Sequence, residues 1–357
     1  MGDLDLDARA AEAERSVTAL FGGRLLGLPG THLARVEHPA RGRADVHWNY
    51  WWQAHYLDCV VDAGLRALRH GNTEDAAERA RRGDRLLATI RLRNVGRFPN
   101  AFYDDMAWLV LAAGRLAVLQ ASLGRARPGR RLRASERVLT AQLRSAVTDD
   151  LGGGVFWNTR RDFKNVPASG PVALHLARIG DLDAARSLVE WMYARLFDPG
   201  SGLFLDGVRV VDGQEVVIRD VYTYNQGTVL GVLTTLADEA SRDRAALLVD
   251  AVNRELTTGD RRVLVTHGGH DGGLFTGILA RYLALTAADP GVDVDTAARA
   301  RRLVGATADG FWAGRAASSA GSRFPVGATE AATVDGRLEL STQLQAWMTL
   351  EAAAALG

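Results

Sequence analysis

The chain of 357 residues is poor in several things that would otherwise direct its reading. It has one cysteine, Cys59, so it can form no internal disulfide and no thiolate metal cluster. It has one lysine, Lys164, and otherwise carries its positive charge on arginine. No run of about 18 apolar residues occurs, so no segment is expected to span a membrane. The net charge is +1, which gives no ground for a nucleic-acid partner or an acidic surface. Glycine-rich stretches occur, but none ends in the Gly-Lys-Ser/Thr of a phosphate loop. The N-terminal stretch Met1 to Asp7 is acidic and has no apolar core of a signal peptide. A cytoplasmic protein is expected, or a secreted one if a leader has been removed.

What is present is helical periodicity. Apolar spacing and punctuation predict twelve helices, near 4–21, 48–70, 74–94, 104–124, 133–150, 166–179, 182–197, 225–238, 241–257, 272–287, 294–312 and 340–356. Gly71, Gly180 and Gly259 are placed as C-caps, and Asn72, Asp181 and Ser241 as caps of the helices that follow. The helices alternate in kind. Odd-numbered ones are amphipathic and charged, as from Glu74 to Arg93. Even-numbered ones are apolar nearly all round and rich in alanine and glycine, as from Leu109 to Leu119 and from Gly227 to Leu236. A helix apolar on every side is a buried one. Six buried helices ringed by six amphipathic ones make an all-α (α/α)6 toroid, built as a single domain over residues 1–357. Leu203 to Ile218, with turn signals at Asp206-Gly207 and Asp212-Gly213, is expected to form a β-hairpin.

A cluster of aromatic, amide and acidic residues precedes or opens each even helix: 47–53, 103–105, 162–165, 222–227, 267–273 and 341–343. Taken from Trp51 through Asp104, Asn165, Asn225 and Asp271 to Gln343, the clusters recur every 46 to 72 residues. Parallel inner helices would bring all six to one mouth of the toroid. Trp51 and Trp52 would offer faces to sugar rings, and amides and carboxylates would take the hydroxyls. The same tryptophans also fit a core stripe. Tyr103, Lys164, Asn165, Tyr224, Asn225, Gln226, Asp271 and Gln53 are candidate binding residues on this argument. Lys164 would help to hold a neighbouring carboxylate ionised, although it also fits a solvated helix cap. Gly227 would let backbone approach a ligand closely. His267, His270 and Asp271 invite a metal reading, but His-x-x-His in a glycine-rich loop is a weak zinc signal. No metal and no cofactor is expected.

The chemistry centres on Asp104-Asp105, at the start of the fourth helix. Like charges this close cannot both ionise cheaply, so one pKa rises while the other can stay low. Retaining hydrolysis of a glycoside needs that split, with the two carboxyls roughly 5–5.5 Å apart. Neighbours on a helical turn can reach this separation, and neighbours on a strand point to opposite faces. Plain helix capping explains an isolated Asp-Asp pair equally well.

Taken together, Tyr-Asp-Asp-Met-Ala-Trp at 103–108, Trp-Trp-Gln-Ala-His at 51–55, Phe-Lys-Asn at 163–165, Tyr-Asn-Gln-Gly at 224–227 and Asp-Gly-Gly-Leu-Phe at 271–275 resemble glycoside hydrolase family 76, the α-1,6-mannanases. The resemblance runs in order from about residue 40 to the C-terminus. It implies an (α/α)6 barrel that cleaves α-1,6-mannosidic linkages with retention, in the manner of an endo-mannanase. Asp104 would then be the nucleophile and Asp105 the acid/base, and the partner a mannose-containing oligo- or polysaccharide. A monomer is the default. Three other readings stay open at this stage: a transglycosylase sharing the same dyad, a sugar isomerase or epimerase using His47, His55, His267 or His270, and a catalytically silent glycan-binding module.

Overall fold

The structure is a computed structural model that describes residues 5–40 and 47–357. Twelve α-helices are found among the described residues: α1 (Leu6–Phe21), α2 (Tyr50–Arg69), α3 (Thr73–Arg93), α4 (Tyr103–Ser122), α5 (Arg130–Ala146), α6 (Val166–Arg178), α7 (Leu182–Leu196), α8 (Thr223–Leu236), α9 (Glu239–Glu255), α10 (Phe275–Ala288), α11 (Val294–Ala313) and α12 (Leu340–Ala354). None is long and apolar enough to cross a membrane.

Even helices pack one on the next, α2 on α4, then α6, α8, α10 and α12, and α12 returns to α2 to close the ring. Each odd helix lies outside, against an even neighbour. Burial follows the two kinds of sequence. All fifteen residues of α12 are buried, whereas α5 buries only Leu132, Ser135, Leu139, Leu143 and Ala146, a stripe at helical spacing. Small residues set the tightness of the inner ring. A Cβ on Gly227 of α8 would stand 2.9 Å from the Leu279 Cα of α10, and one on Gly277 of α10 would stand 2.9 Å from the Gln345 Cα of α12. The close approach that Gly227 permits is therefore to a neighbouring helix and not to a ligand.

Differences from the expected punctuation are local. Asn72 caps α3 by accepting from the Asp75 N–H. At α9, Asp238 is the cap, and Ser241 is the donor it accepts from. Gly259 lies in a turn between two short strands, beyond the end of the helix. The Asp212-Gly213 turn joins Gly207–Val211 to Gln214–Ile218, and both turn residues have positive φ, 51° and 76°. The Asp206-Gly207 signal instead marks where the first of these strands starts. That strand also pairs with Phe163–Asn165, giving a three-stranded antiparallel sheet beside the N-terminus of α6. The tenth helix opens with a 3-10 turn, His270–Leu274, so its α-helical part begins at Phe275, three residues later than expected.

Candidate active site

Five of the six clusters meet at one mouth. The N-terminal ends of α2, α4, α6, α8 and α10 surround a cleft of about 1060 Å³, whose lining includes Trp48, Trp51, Asp104, Asp105, Asn165, Tyr224 and Asp271. The sixth cluster stays out of it. The Gln343 amide instead holds the backbone of Phe324, accepting from its N–H and donating to its C=O at 2.8 Å each.

Asp104 and Asp105 occupy the first turn of α4, whose N-cap, Phe102, supplies no side-chain cap. The helix start is tied across the cleft floor by the Tyr103 N–H, which donates to the Trp157 C=O at 2.8 Å. This brings the Trp157 indole N–H to Asp104 Oδ2 at 2.9 Å. Asp104 Oδ1 accepts from the Asp105 backbone N–H at 2.9 Å. Asp105 Oδ2 accepts from Asn100 Nδ2 at 2.5 Å, and Asn100 is itself oriented by accepting from the Phe102 N–H. Among the described residues neither carboxyl has a cation partner. Burial pushes Asp104 up to about 7, against the lowering effect of the Asp105 N–H and the Trp157 indole. Burial pushes Asp105 well above the usual carboxylate range, and the charge of Asp104 adds to this. The low member expected of the pair is not found: both carboxyls are raised, because desolvation outweighs the helix N-terminus.

A third carboxylate faces the pair. Asp271 Oδ1 accepts from the indole N–H groups of Trp51 and Trp52, both at 2.9 Å, and from Asn49 Nδ2 at 3.3 Å. A fourth, Asp206, lines the cleft from the segment before the hairpin; burial raises it to about 6 and Asn225 Nδ2 donates to it at 3.4 Å. Tyr224 stacks on Phe275, with centroids 3.8 Å apart and planes 2° from parallel, and Tyr222 and His267 pack around Phe275. Trp51, Trp157 and this aromatic group make an apolar rim around the acids.

Several expected binding residues serve the scaffold. Gln53 accepts from the Ala34 N–H and donates to its C=O at 2.9 Å each, and Gln226 does the same for Phe204. Together with Gln343 they form one device used three times: a glutamine in the first turn of an inner helix clasps the preceding extended segment. Buried amides need partners, and backbone supplies them. Lys164 is fully buried and turned away from the acids. Its ammonium donates to Thr148 O, Thr148 Oγ1, Asp150 O and Gly153 O at 2.6–2.9 Å. Trp52, Tyr103 and Asn225 are buried behind the lining; Trp52 and Asn225 reach the site through Asp271 and Asp206. Asn165 lines the cleft and also caps α6, accepting from the Ala168 N–H.

The histidines do not form a centre. His267 Nε2 accepts from the Thr223 N–H at 3.2 Å, and burial lowers its pKa, so the ring is neutral. His270 points outward beside Glu339. His55 lies beneath the floor between Trp51 and Trp108, and burial brings it down to about 3. Among the described residues no group of three or more His, Cys, Asp and Glu side chains is placed to hold a metal ion. Asn100 and Asp206 were not anticipated as site residues, and Asn49 was read only as a member of the first cluster. Asn100 stands five residues before Asp105, within its reach across the helix entrance, whereas the Asp206-Gly207 pair reads locally as a turn and hides its role.

Unpaired acids on the floor of an aromatic-rimmed cleft, at the mouth of a closed ring of twelve helices, are the equipment of a glycosidase of the (α/α)6 class. A profile of glycosyl hydrolase family 76 matches residues 9–356, and the chain belongs to that family. Among solved structures it is similar to the alpha-1,6-mannanase of Salegentibacter sp. HEL1_6, with 29% identity and a TM-score of 0.85 over 99% of this chain and 100% of that one. An inactive variant of that mannanase, with two consecutive aspartates replaced by alanine, is known in complex with alpha-1,6-mannotetrose and matches with the same identity, coverage and TM-score. A Listeria innocua protein shares the fold at 23% identity and a TM-score of 0.81, over 98% of this chain and 97% of that one. No curated protein matches the sequence.

Proposed function

We propose that the protein hydrolyses α-1,6-mannosidic linkages by double displacement, with Asp104 as nucleophile and Asp105 as acid/base. The observation that carries this reading is the placement of Asp104 and Asp105 side by side in the cleft lining, held by the Trp157 indole, the Asp105 N–H and the Asn100 amide with no cation beside them among the described residues. In the singly protonated pair, Asp104 attacks the anomeric carbon while the Asp105 proton passes to the departing glycosidic oxygen. Asp105, now a carboxylate, takes a proton from water. The hydroxyl adds to the anomeric carbon, the bond to Asp104 breaks, and the pair returns to its starting state. Asn100 holds Asp105 in place and Trp157 holds Asp104. Asp271 accepts from sugar hydroxyls, and Trp51, Tyr224 and Asn165 line the channel in which the mannose residues lie. The similarity to a mannanase whose inactive variant lacks two consecutive aspartates supports a catalytic aspartate pair and the linkage. Neutral, backbone-held His267 and buried His55 speak against isomerase chemistry, which needs a histidine free to exchange protons at the sugar.

Asp104→Asn and Asp105→Asn are each expected to lower kcat on α-1,6-mannan by about a thousandfold while leaving the circular dichroism spectrum unchanged. Proton NMR of the wild-type reaction should show the α-anomer first. Full activity in either variant, or a β-anomer as first product, would overturn the assignment.

A further inference from the structure

The net charge of +1 conceals an uneven distribution. Elsewhere on the molecule arginines are paired with acids: Arg244 with Glu190, Arg186 with Asp238, Arg299 with Asp250, and Arg81 and Arg85 with Glu78. Between the outer helices α3 and α5 this pattern fails. A groove of about 700 Å³ is lined by Arg91 of α3, by Arg130, Arg131, Arg133 and Arg137 of α5, and by Ala134, with no acid among its lining residues. All five guanidiniums belong to exposed residues. Two are steadied from below: Arg133 donates to the Pro128 C=O, and Arg91 donates to the Gly96 C=O at 2.8 Å with its guanidinium 5.7 Å from the Phe98 ring centroid. Arg130, Arg131 and Arg137 have no hydrogen-bond or ion-pair partner among the described residues. Collecting like charges costs free energy through self-repulsion, and planar guanidiniums suit the oxygens of phosphate and carboxylate groups.

The groove neighbours the catalytic cleft. Arg91 stands one helical turn before Asn94, which lines the cleft. Asn94 Nδ2 donates to the C=O groups of Phe98 and Pro99, and Tyr50, also in the cleft lining, donates its hydroxyl to the same Phe98 C=O at 2.6 Å. The segment 94–99 thus links Arg91 of the groove, which bonds Gly96 and faces Phe98, to Asn94 and Tyr50 of the cleft lining.

We propose that this groove binds anionic substituents, phosphate above all, on the glycan whose mannose backbone lies in the cleft, so that the natural substrate is a charged mannan. The proposal rests on the glycosidase reading of the cleft and adds the substrate's charge to it. A nucleic acid is a poorer fit, since the groove has no aromatic side chain for bases to stack on. A membrane surface is a poorer fit as well, since Ala134 is its only apolar lining residue.

The test compares wild type with the triple variant Arg130→Gln, Arg131→Gln, Arg137→Gln on two polymers, neutral α-1,6-mannan and the same mannan phosphorylated on a fraction of its hydroxyls. Wild type should show a kcat/KM at least tenfold higher on the phosphorylated polymer at low salt. Raising sodium chloride to about 0.5 M, or making the triple variant, should remove that advantage, and activity on neutral mannan should stay within twofold. Equal kcat/KM on the two polymers would overturn the proposal, as would a variant that loses both activities together. Binding to anionic vesicles or to a single-stranded oligonucleotide without preference for phosphorylated mannan would overturn it in favour of those partners. If neither polymer is cleaved, the glycosidase reading fails. The groove is then judged alone by calorimetric titration with phosphorylated mannan: binding that the variant loses sustains it, and no binding ends it.

Discussion

Two sets of enclosed carboxyls sit in the same ring of helices and differ in what faces them. Deep in the barrel, Asp58 and Asp62 of α2 are bound by Arg115 of α4 and Arg281 of α10, and Arg66 bridges Glu14 of α1 and Glu351 of α12 at 3.0 Å each. At the mouth, the donors to Asp104 and Asp105 among the described residues are amides and an indole. Burial raises the pKa of Asp58 as it does those of the mouth pair, but Arg115 and Arg281 outweigh it and bring Asp58 down to about 2. Asp104, without a cation, goes to about 7. Glu351 shows the balance is a close one: burial lifts it to about 6 even with Arg66 beside it. Cation pairing converts a buried acid into a structural tie across helices. Withholding the cation leaves an acid that can exchange its proton near neutral pH.

Substitutions at the two ends should therefore have opposite signs. The largest effect is expected at the deep end. Arg281→Met leaves Asp58 and Asp62 short of a counter-charge inside the barrel and should cost about 3–5 kcal/mol of unfolding free energy, read by urea titration. A cost under about 1 kcal/mol would mean that the network is ornamental.

At the mouth, Asp105→Asn should stabilise. The folded state keeps a proton on Asp105 that the unfolded chain releases above about pH 4, so this group's contribution to stability falls as pH rises from there towards its folded pKa. The variant loses that slope. Its advantage over wild type should be small at pH 4 and grow to about 1–2 kcal/mol by pH 8, seen as a rising difference in Tm. A constant or shrinking difference would contradict the raised pKa.

The smallest effect sharpens the pair itself. Trp157 donates to Asp104 and lowers its pKa. Trp157→Phe keeps most of the aromatic surface and removes the donor. The acidic limb of the kcat/KM profile should then move to higher pH by about half a unit to one unit, with at most a severalfold loss at the optimum. A limb that stays in place would mean that the indole does not tune the nucleophile.

The comparison also explains what could be read from residues in order. Whole-helix character is local: the run Leu109 to Leu119, apolar but for Arg115, and the striped α5 announce inner and outer positions before any packing is known. The recurrence of polar clusters at inner-helix entrances led to five of the six walls of the cleft. Side-chain partners are not local. Gln53, Gln226 and Lys164 look like ligand groups because their polarity is conspicuous beside apolar runs, yet Ala34, Phe204 and the 148–153 loop satisfy them. Nothing nearby in the chain identifies those partners. The same is true of Asp271, which proved to be held by two tryptophans some 220 residues earlier. Asp104 and Asp105 stood out for the opposite reason: adjacent acids among aromatics lack a neutralising neighbour in the sequence, and among the described residues they still lack one in the fold.

That absence of a cation is most directly tested by following the carboxyl carbons. With ¹³C label in the aspartate carboxyl groups, and Asp104→Asn and Asp105→Asn used to assign the signals, an NMR pH titration of the free enzyme should show the dyad ionising in two steps, the first at an apparent pKa of about 7 and the second higher. Both steps complete below pH 5 would contradict the account, because the two acids would then be ordinary carboxylates and neither would hold a proton to give.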